Sequence, residues 1–210
     1  MKNVIVHPLY FGPTDLFVAL ADAKELYFEI NDNYQKQSYR TRQYIYGANG
    51  KLLLNIPIKH RGNGKHQLLK DVQIENDFKW QTLHWRSLES AYRTSPFFEY
   101  FEDDFSPIYH TNYKYLIDFT QAAWEVLLQS LNLNIDIKFT SAYQEEYLKK
   151  IDLRSYAVAK RKSNISLEKY IQVFESKKGF LENLSILDLL FNEGTNALNY
   201  LQNHSVSTEN

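Results

Sequence analysis

From Asp77 the dominant hydrophobic period switches from strand-like to helical, and that switch constrains the fold more than any other feature. Before it, apolar residues come in short β-branched or alternating runs; after it, they recur at spacings of three and four. Val4-Ile5-Val6 predicts a buried strand that ends at His7-Pro8, where the residue before proline is pushed to extended geometry. Glu25–Ile30 predicts a second strand, stopped by Asn31-Asp32-Asn33, whose side chains compete for local backbone donors. Arg42–Tyr46 and Lys51–Ile58, with Gly47-Ala48-Asn49-Gly50 between them, predict a hairpin. Leu52-Leu53-Leu54 with Ile56 and Ile58 reads as a central strand, and Pro57 marks an edge or bulge near its end. Leu68, Val72 and Ile74 in period two predict one more strand over 68–74.

Helical patterns fill most of the remainder. Gly12-Pro13-Thr14-Asp15 turns into a first helix with Leu16, Phe17, Leu20 and Ala21 on one side. Asp77 is the expected N-cap of a second, with Trp80, Leu83, His84, Leu88 and Ala91 on its buried face and Arg86, Glu89 and Arg93 opposite. Ser95-Pro96 opens a third, carrying Phe97, Phe98, Phe101 and Phe105. Asn112 caps a long helix over 113–131, and Ile135–Phe139 alternates as a last strand. Residues 140–180 are weakly patterned. Leu184–Phe191 predicts a buried helix capped by Asn183 or Ser185 and ended by Gly194, followed by a short helix over 196–201 and fraying from His204. With no repeat and no linker, residues 1–210 read as a single α+β domain: a mixed sheet from the N-terminal half with a mainly helical C-terminal half.

Composition excludes several functions. Lys and Arg number 24 against 25 Asp and Glu, a formal charge of −1, which excludes the strongly basic surface that non-specific nucleic-acid binding needs. Zero cysteines exclude a disulfide scaffold, a thiolate nucleophile and cysteine-ligated metal. No apolar run is long enough for a membrane span, and Met1–Pro8 is too short a run for a signal peptide, so a cytoplasmic protein without membrane insertion is expected. Aromatics are 15% of the chain, which suits a Tyr-rich core or a sugar-stacking surface.

Four clusters of residues invite chemistry. His7, with Tyr10 close behind, lies between a strand and a helix start, where free N–H groups gather and where an imidazole is placed for acid/base work or phosphate contact. The loop Lys59–His66 carries Lys59, Arg61, Lys65 and two histidines without an acid, and Gly62 and Gly64 permit close backbone approach to an anion. It is not a P-loop. His84 and Arg86, with Tyr92 further along the same helix, form the third cluster, and Arg40 and Arg42 beside the hairpin are anion clamps if they point inward. The acidic run Glu99–Asp104 reads as a solvated face; no histidine spacing supports a metal, and no motif names a cofactor.

His7-Pro8-Leu9-Tyr10-Phe11, Tyr39-Arg40-Thr41-Arg42, Leu54–Lys59, His84–Leu88, Ala91–Phe98 and Leu184–Asn192 occur in this order, and the set resembles the WbqC-like family across nearly the whole chain. The resemblance implies a link to surface polysaccharide (O-antigen) gene clusters and a possible amino-acyl transfer to a sugar. Many relatives open with Gln-Pro where this chain has His7-Pro8; if glutamine can stand there, hydrogen bonding suits the position better than general base catalysis. The expectation is a transferase with His7 and His84 catalytic and Tyr10, Arg40, Arg42, Lys59, Lys65, Arg86 and Tyr92 holding a small-molecule or sugar substrate, without metal or nucleic acid. The alternative is a non-catalytic glycan- or protein-binding scaffold with an aromatic surface at Phe97, Phe98 and Tyr100.

Overall fold

The computed structural model describes residues 2–59 and 66–204. Strand β1 (Lys2–Val6) leads through helix α1 (Thr14–Leu20) to β2 (Ala23–Phe28), and the two strands pair in parallel with Val4 beside Leu26. Next come the hairpin strands β3 (Arg42–Gly47) and β4 (Gly50–Asn55), then three helices: α2 (Trp80–Tyr92), α3 (Phe98–His110) and α4 (Leu116–Ser130). β5 (Asp136–Phe139) pairs with β2 in parallel, and the two-residue β6 (Ile151–Asp152) pairs with β1 in parallel. The main sheet therefore runs β5-β2-β1-β6. A single helical turn, α5 (Glu175–Lys178), precedes the closing pair α6 (Ile186–Glu193) and α7 (Ala197–Asn203).

This is the expected α+β class, strand-rich at the start and mainly helical afterwards, with two short strands from the second half joining the sheet. Apolar spacing explains the helices. Leu116, Phe119, Ala123, Trp124 and Leu127 make the buried rail of α4. Trp124 packs on Phe17 and Phe28 at 5.2 Å each and donates its indole N–H to the Leu9 carbonyl at 2.7 Å. That bond fixes the loop that leaves β1. Ser185 caps α6 by accepting from Leu187 N, and Gly194 ends it at φ +56°. A Cβ on Gly194 would stand 2.4 Å from the Phe97 ring, so glycine is required there by conformation and by space.

Several local expectations are corrected. Residues 68–74 do not form a strand. Leu69–Asp71 make a 3₁₀ turn, and isolated bridges tie Leu68 to Asn33 and Ile74 to Ile58. The alternation reflected burial of Val72 and Ile74 beneath the start of α4, where Leu116 N donates to the Val72 carbonyl at 2.9 Å. β4 pairs with β3 alone and is not central, which leaves Leu52 and Leu53 about two-fifths exposed. Helix α2 starts after Lys79 rather than Asp77, and Leu83 is exposed while Trp85 and Tyr92 are buried. Helices α3 and α4 likewise start later than Ser95-Pro96 and Asn112 suggest. No helix among the described residues is long and apolar enough to cross a membrane.

Candidate functional site

Numbered by their appearance in the chain, the strands of the main sheet lie in the order third, second, first, fourth. Sheets of this order bind ligands beyond the carboxyl ends of their strands, where the order reverses. Here the reversal falls between β1 and β6. His7 is the first residue after β1, and Arg154 follows β6 closely; Glu29 and Asp32 come off β2, and Arg40 precedes β3. All five gather at this edge.

The geometry is close. His7 Nε2 lies 3.3 Å from Asp32 Oδ2, and His7 Nδ1 lies 3.4 Å from the Glu29 carbonyl. Arg40 Nη2 approaches the same Asp32 oxygen at 3.7 Å. Arg40 is 1% exposed, and its Nε and Nη1 are buried with no hydrogen-bond partner among the described residues. The Glu29 carboxylate is buried and accepts from Asn31 N at 2.8 Å, Thr140 Oγ1 at 3.0 Å and Tyr147 Oη at 2.5 Å. Arg154 grips Asp152 and donates to the Gln144 and Glu145 carbonyls at 2.9 and 2.7 Å, which fastens the 144–154 segment against the cluster.

Burial dominates the electrostatics. It pulls the His7 imidazole down to about 3, helped by the Arg40 and Arg154 guanidinium charges and opposed by the Glu29 carbonyl and Asp152. It pulls Arg40 down to about 10, partly countered by Asp32 and Tyr34. At neutral pH the site therefore holds a neutral imidazole beside a guanidinium cation that lacks acceptors for two of its nitrogens. Leaving buried donors unpaired is costly, and an oxyanion is the group whose geometry answers a guanidinium fork.

A groove of about 560 Å³ adjoins this cluster. Tyr34 and Thr41 form its inner wall, and their hydroxyls are 3.3 Å apart. Arg42, Lys36, Glu75 and Phe78 are among the residues that line the rest, with Asn55 and the 56–58 segment. Burial raises the Tyr34 hydroxyl above its usual value, opposed by its bond to Thr41 and by the charges of Arg40 and Arg42. A second hollow of about 570 Å³, beside α4 and β5, is lined by Glu125, Asp136 and apolar and amide residues, with no cation among them.

The sequence-predicted residues do not all share one cleft. His7 and Arg40 meet at the sheet edge, and Arg42 faces the adjoining groove. Tyr10 and His84 are core residues: Tyr10 Oη lies 2.9 Å from His84 Nδ1 and 3.0 Å from Tyr109 Oη, and burial lowers His84 to about 4. Tyr92 is fully buried and donates to Asp188 Oδ1 at 2.8 Å. Asp188 also accepts from Tyr170 at 2.6 Å and Gln172 at 2.7 Å, a network that ties α2 and the 170–172 segment to α6. Lys59 and Arg86 are exposed. Glu89, on the same face of α2 as Arg86, is bonded by Arg93, which also holds Glu102. Lys65 lies outside the described residues. The aromatic patch is corrected as well: Phe98 is in the core and Phe97 packs over Gly194, which leaves Tyr100 alone exposed. Among the described residues no three His, Cys, Asp or Glu side chains stand together as metal ligands.

Sequence reading missed Asp32, Glu29, Tyr147 and Arg154. Asp32 reads as a strand breaker, and the other two late residues sit in weakly patterned chain. Position was the available signal, since Glu29 lies at the end of the strand predicted over 25–30 and Asp32 just beyond it.

The main sheet is a small parallel unit with an order reversal, set within an α+β chain. The chain belongs to the WbqC-like protein family, whose model matches residues 7–172, a span that begins at His7 and includes Arg154. It is similar to the uncharacterized protein Rv1507c of Mycobacterium tuberculosis, with 28% identity over 229 residues, covering 96% of this chain and 98% of that protein. No solved structure matches it.

Proposed function

We propose that this protein is a transferase acting on an activated sugar or acyl donor in surface polysaccharide assembly, with its donor site at the carboxyl edge of β1 and β2. The observation that carries this reading is Arg40, a buried guanidinium with two unpartnered nitrogens beside His7 and Asp32. An oxyanion of the donor would supply the missing acceptors. In the transfer step the acceptor hydroxyl attacks the activated carbon of the donor. The bond to the leaving oxyanion breaks, its charge passes to Arg40, and the hydroxyl proton passes to Asp32, the more open member of the cluster. His7, neutral at working pH, orients Asp32 by hydrogen bonding; glutamine could take the same role. His84, held in the core by Tyr10, has no part in this step.

The test is a donor screen read by thermal stabilisation, followed by product formation with the donor that binds. Arg40→Met is expected to abolish donor stabilisation and product, and His7→Gln to retain most of both. Undiminished donor-dependent product in Arg40→Met overturns the reading.

A further inference from the structure

The groove beside the cluster has a composition of its own. Its volume of about 560 Å³ falls in the range of small-molecule sites. Phe78 stands on its wall with 65% of its surface exposed. The ring's cost in water is uncompensated by packing, and a flat apolar face beside polar groups suits the C–H face of a pyranose. Arg42 lines the same groove, and its Nε is buried with no partner among the described residues, so this wall too holds an unanswered donor. Lys36 and Arg42 face one carboxylate, Glu75, which leaves a net positive charge. Glu75 Oε1 accepts from Asp77 N at 3.3 Å, and Thr41 and Asn55 add a hydroxyl and an amide to the lining.

We propose that this groove binds a pyranose carrying a negative charge, a sugar phosphate or a hexuronate, with its ring against Phe78 and its anionic group on Arg42. This deepens the transferase reading and rests on it for the groove's role in the reaction, because Thr41, which lines the groove, follows Arg40 directly in the chain. Glu75 repels the anion and thereby fixes the ring's direction, turning the charged group toward Arg42.

Binding is measured by calorimetry on the intact protein with glucose 1-phosphate, glucuronate, glucose and inorganic phosphate. The expected result is that at least one of the two charged sugars binds, and about tenfold or more tighter than glucose. Phe78→Ala is expected to weaken it about tenfold and Phe78→Trp to preserve it. Arg42→Gln should remove the preference for the charged sugar over glucose. Phe78 is exposed, so its variants keep the fold, and a circular dichroism melt checks Arg42→Gln. Equal affinity for glucose and both charged sugars, no binding of any sugar, or unchanged binding in both Phe78→Ala and Arg42→Gln overturns the assignment. The two readings fail separately. If the groove variants bind charged sugar as the wild type does while Arg40→Met loses donor-dependent product, the groove falls and the transferase site stands. If the groove variants lose sugar while Arg40→Met keeps product, the transferase site falls and the groove stands.

Discussion

Replacing Arg40 by methionine should make the ligand-free protein more stable. The side chain is 1% exposed, and its Nε and Nη1 meet no acceptor among the described residues. Each orphaned buried donor costs about 1–3 kcal/mol, so the pair costs about 2–6 kcal/mol. Against this stands the attraction to Asp32 at 3.7 Å. Asp32 is 21% exposed at its side chain, and screening reduces such a pair to about 1 kcal/mol. Methionine fills much of the same volume without polar atoms. The net expectation is a gain of about 2 kcal/mol, because Asp32 keeps 21% of its side chain exposed and is not left as a fully buried, uncompensated charge. For a chain of this length that raises Tm by about 4–8 °C. The assay is thermal and urea denaturation of wild type and Arg40→Met, with and without inorganic phosphate. Phosphate at about a hundred times its Kd should stabilise the wild type by about 2.7 kcal/mol and the variant not at all. A ligand-free variant less stable than wild type by about 1 kcal/mol or more would show that Arg40 holds the fold together, and the reasoning would be refuted.

Three further outcomes follow from the geometry. Burial holds His84 at about 4 against an unfolded value of 6.5, so the unfolded chain takes up the proton first as pH falls. Its contribution, on the order of 3 kcal/mol, is complete above pH 6.5 and lost toward pH 4; denaturation across this window should show a shallower loss in His84→Gln. Asp188 behaves in the opposite sense. Burial raises its carboxyl above 3.8, so its protonation favours the folded state at low pH and that contribution fades as pH rises through the folded value. The stability difference between wild type and Asp188→Asn, followed by urea denaturation from pH 3.5 upward, should move in the wild type's disfavour. Gly194→Ala combines positive φ with a clash on Phe97 and should cost about 3 kcal/mol, seen as a lower urea midpoint at unchanged m.

Where one residue's chemistry decides local structure, the sequence was readable. β-Branching made β1 legible, glycine and asparagine made the hairpin legible, and Ser185 and Gly194 bounded α6. Where tertiary pairing decides, it was not. Ile151–Asp152 has no strand signal and is a strand only because Val4 and Ile5 lie beside it. Residues 68–74 alternate like a strand, yet packing under α4 turns them into a 3₁₀ segment. The site divides in the same way. His7, Arg40 and Arg42 declared themselves by type and by nearness to predicted strand ends. Asp32 was hidden in a turn-forming asparagine pair, Arg154 in unpatterned chain, and Phe78 by its place just ahead of a helix. Their roles depend on a strand order that local patterns do not encode. His84, Tyr10 and Tyr92 show the converse: their polar tips answer one another in the core, so chemistry-bearing residue types there serve packing.

The pairing of β1 with β6 also sets when the site can exist. Val4 and its partner Ile151 are separated by 147 residues of sequence. Contacts so distant along the chain close slowly. Until then His7 lacks its Asp152 and Arg154 neighbours. Closing the sheet edge therefore completes the surroundings of the imidazole, and the histidine's own NMR signal would report that closure.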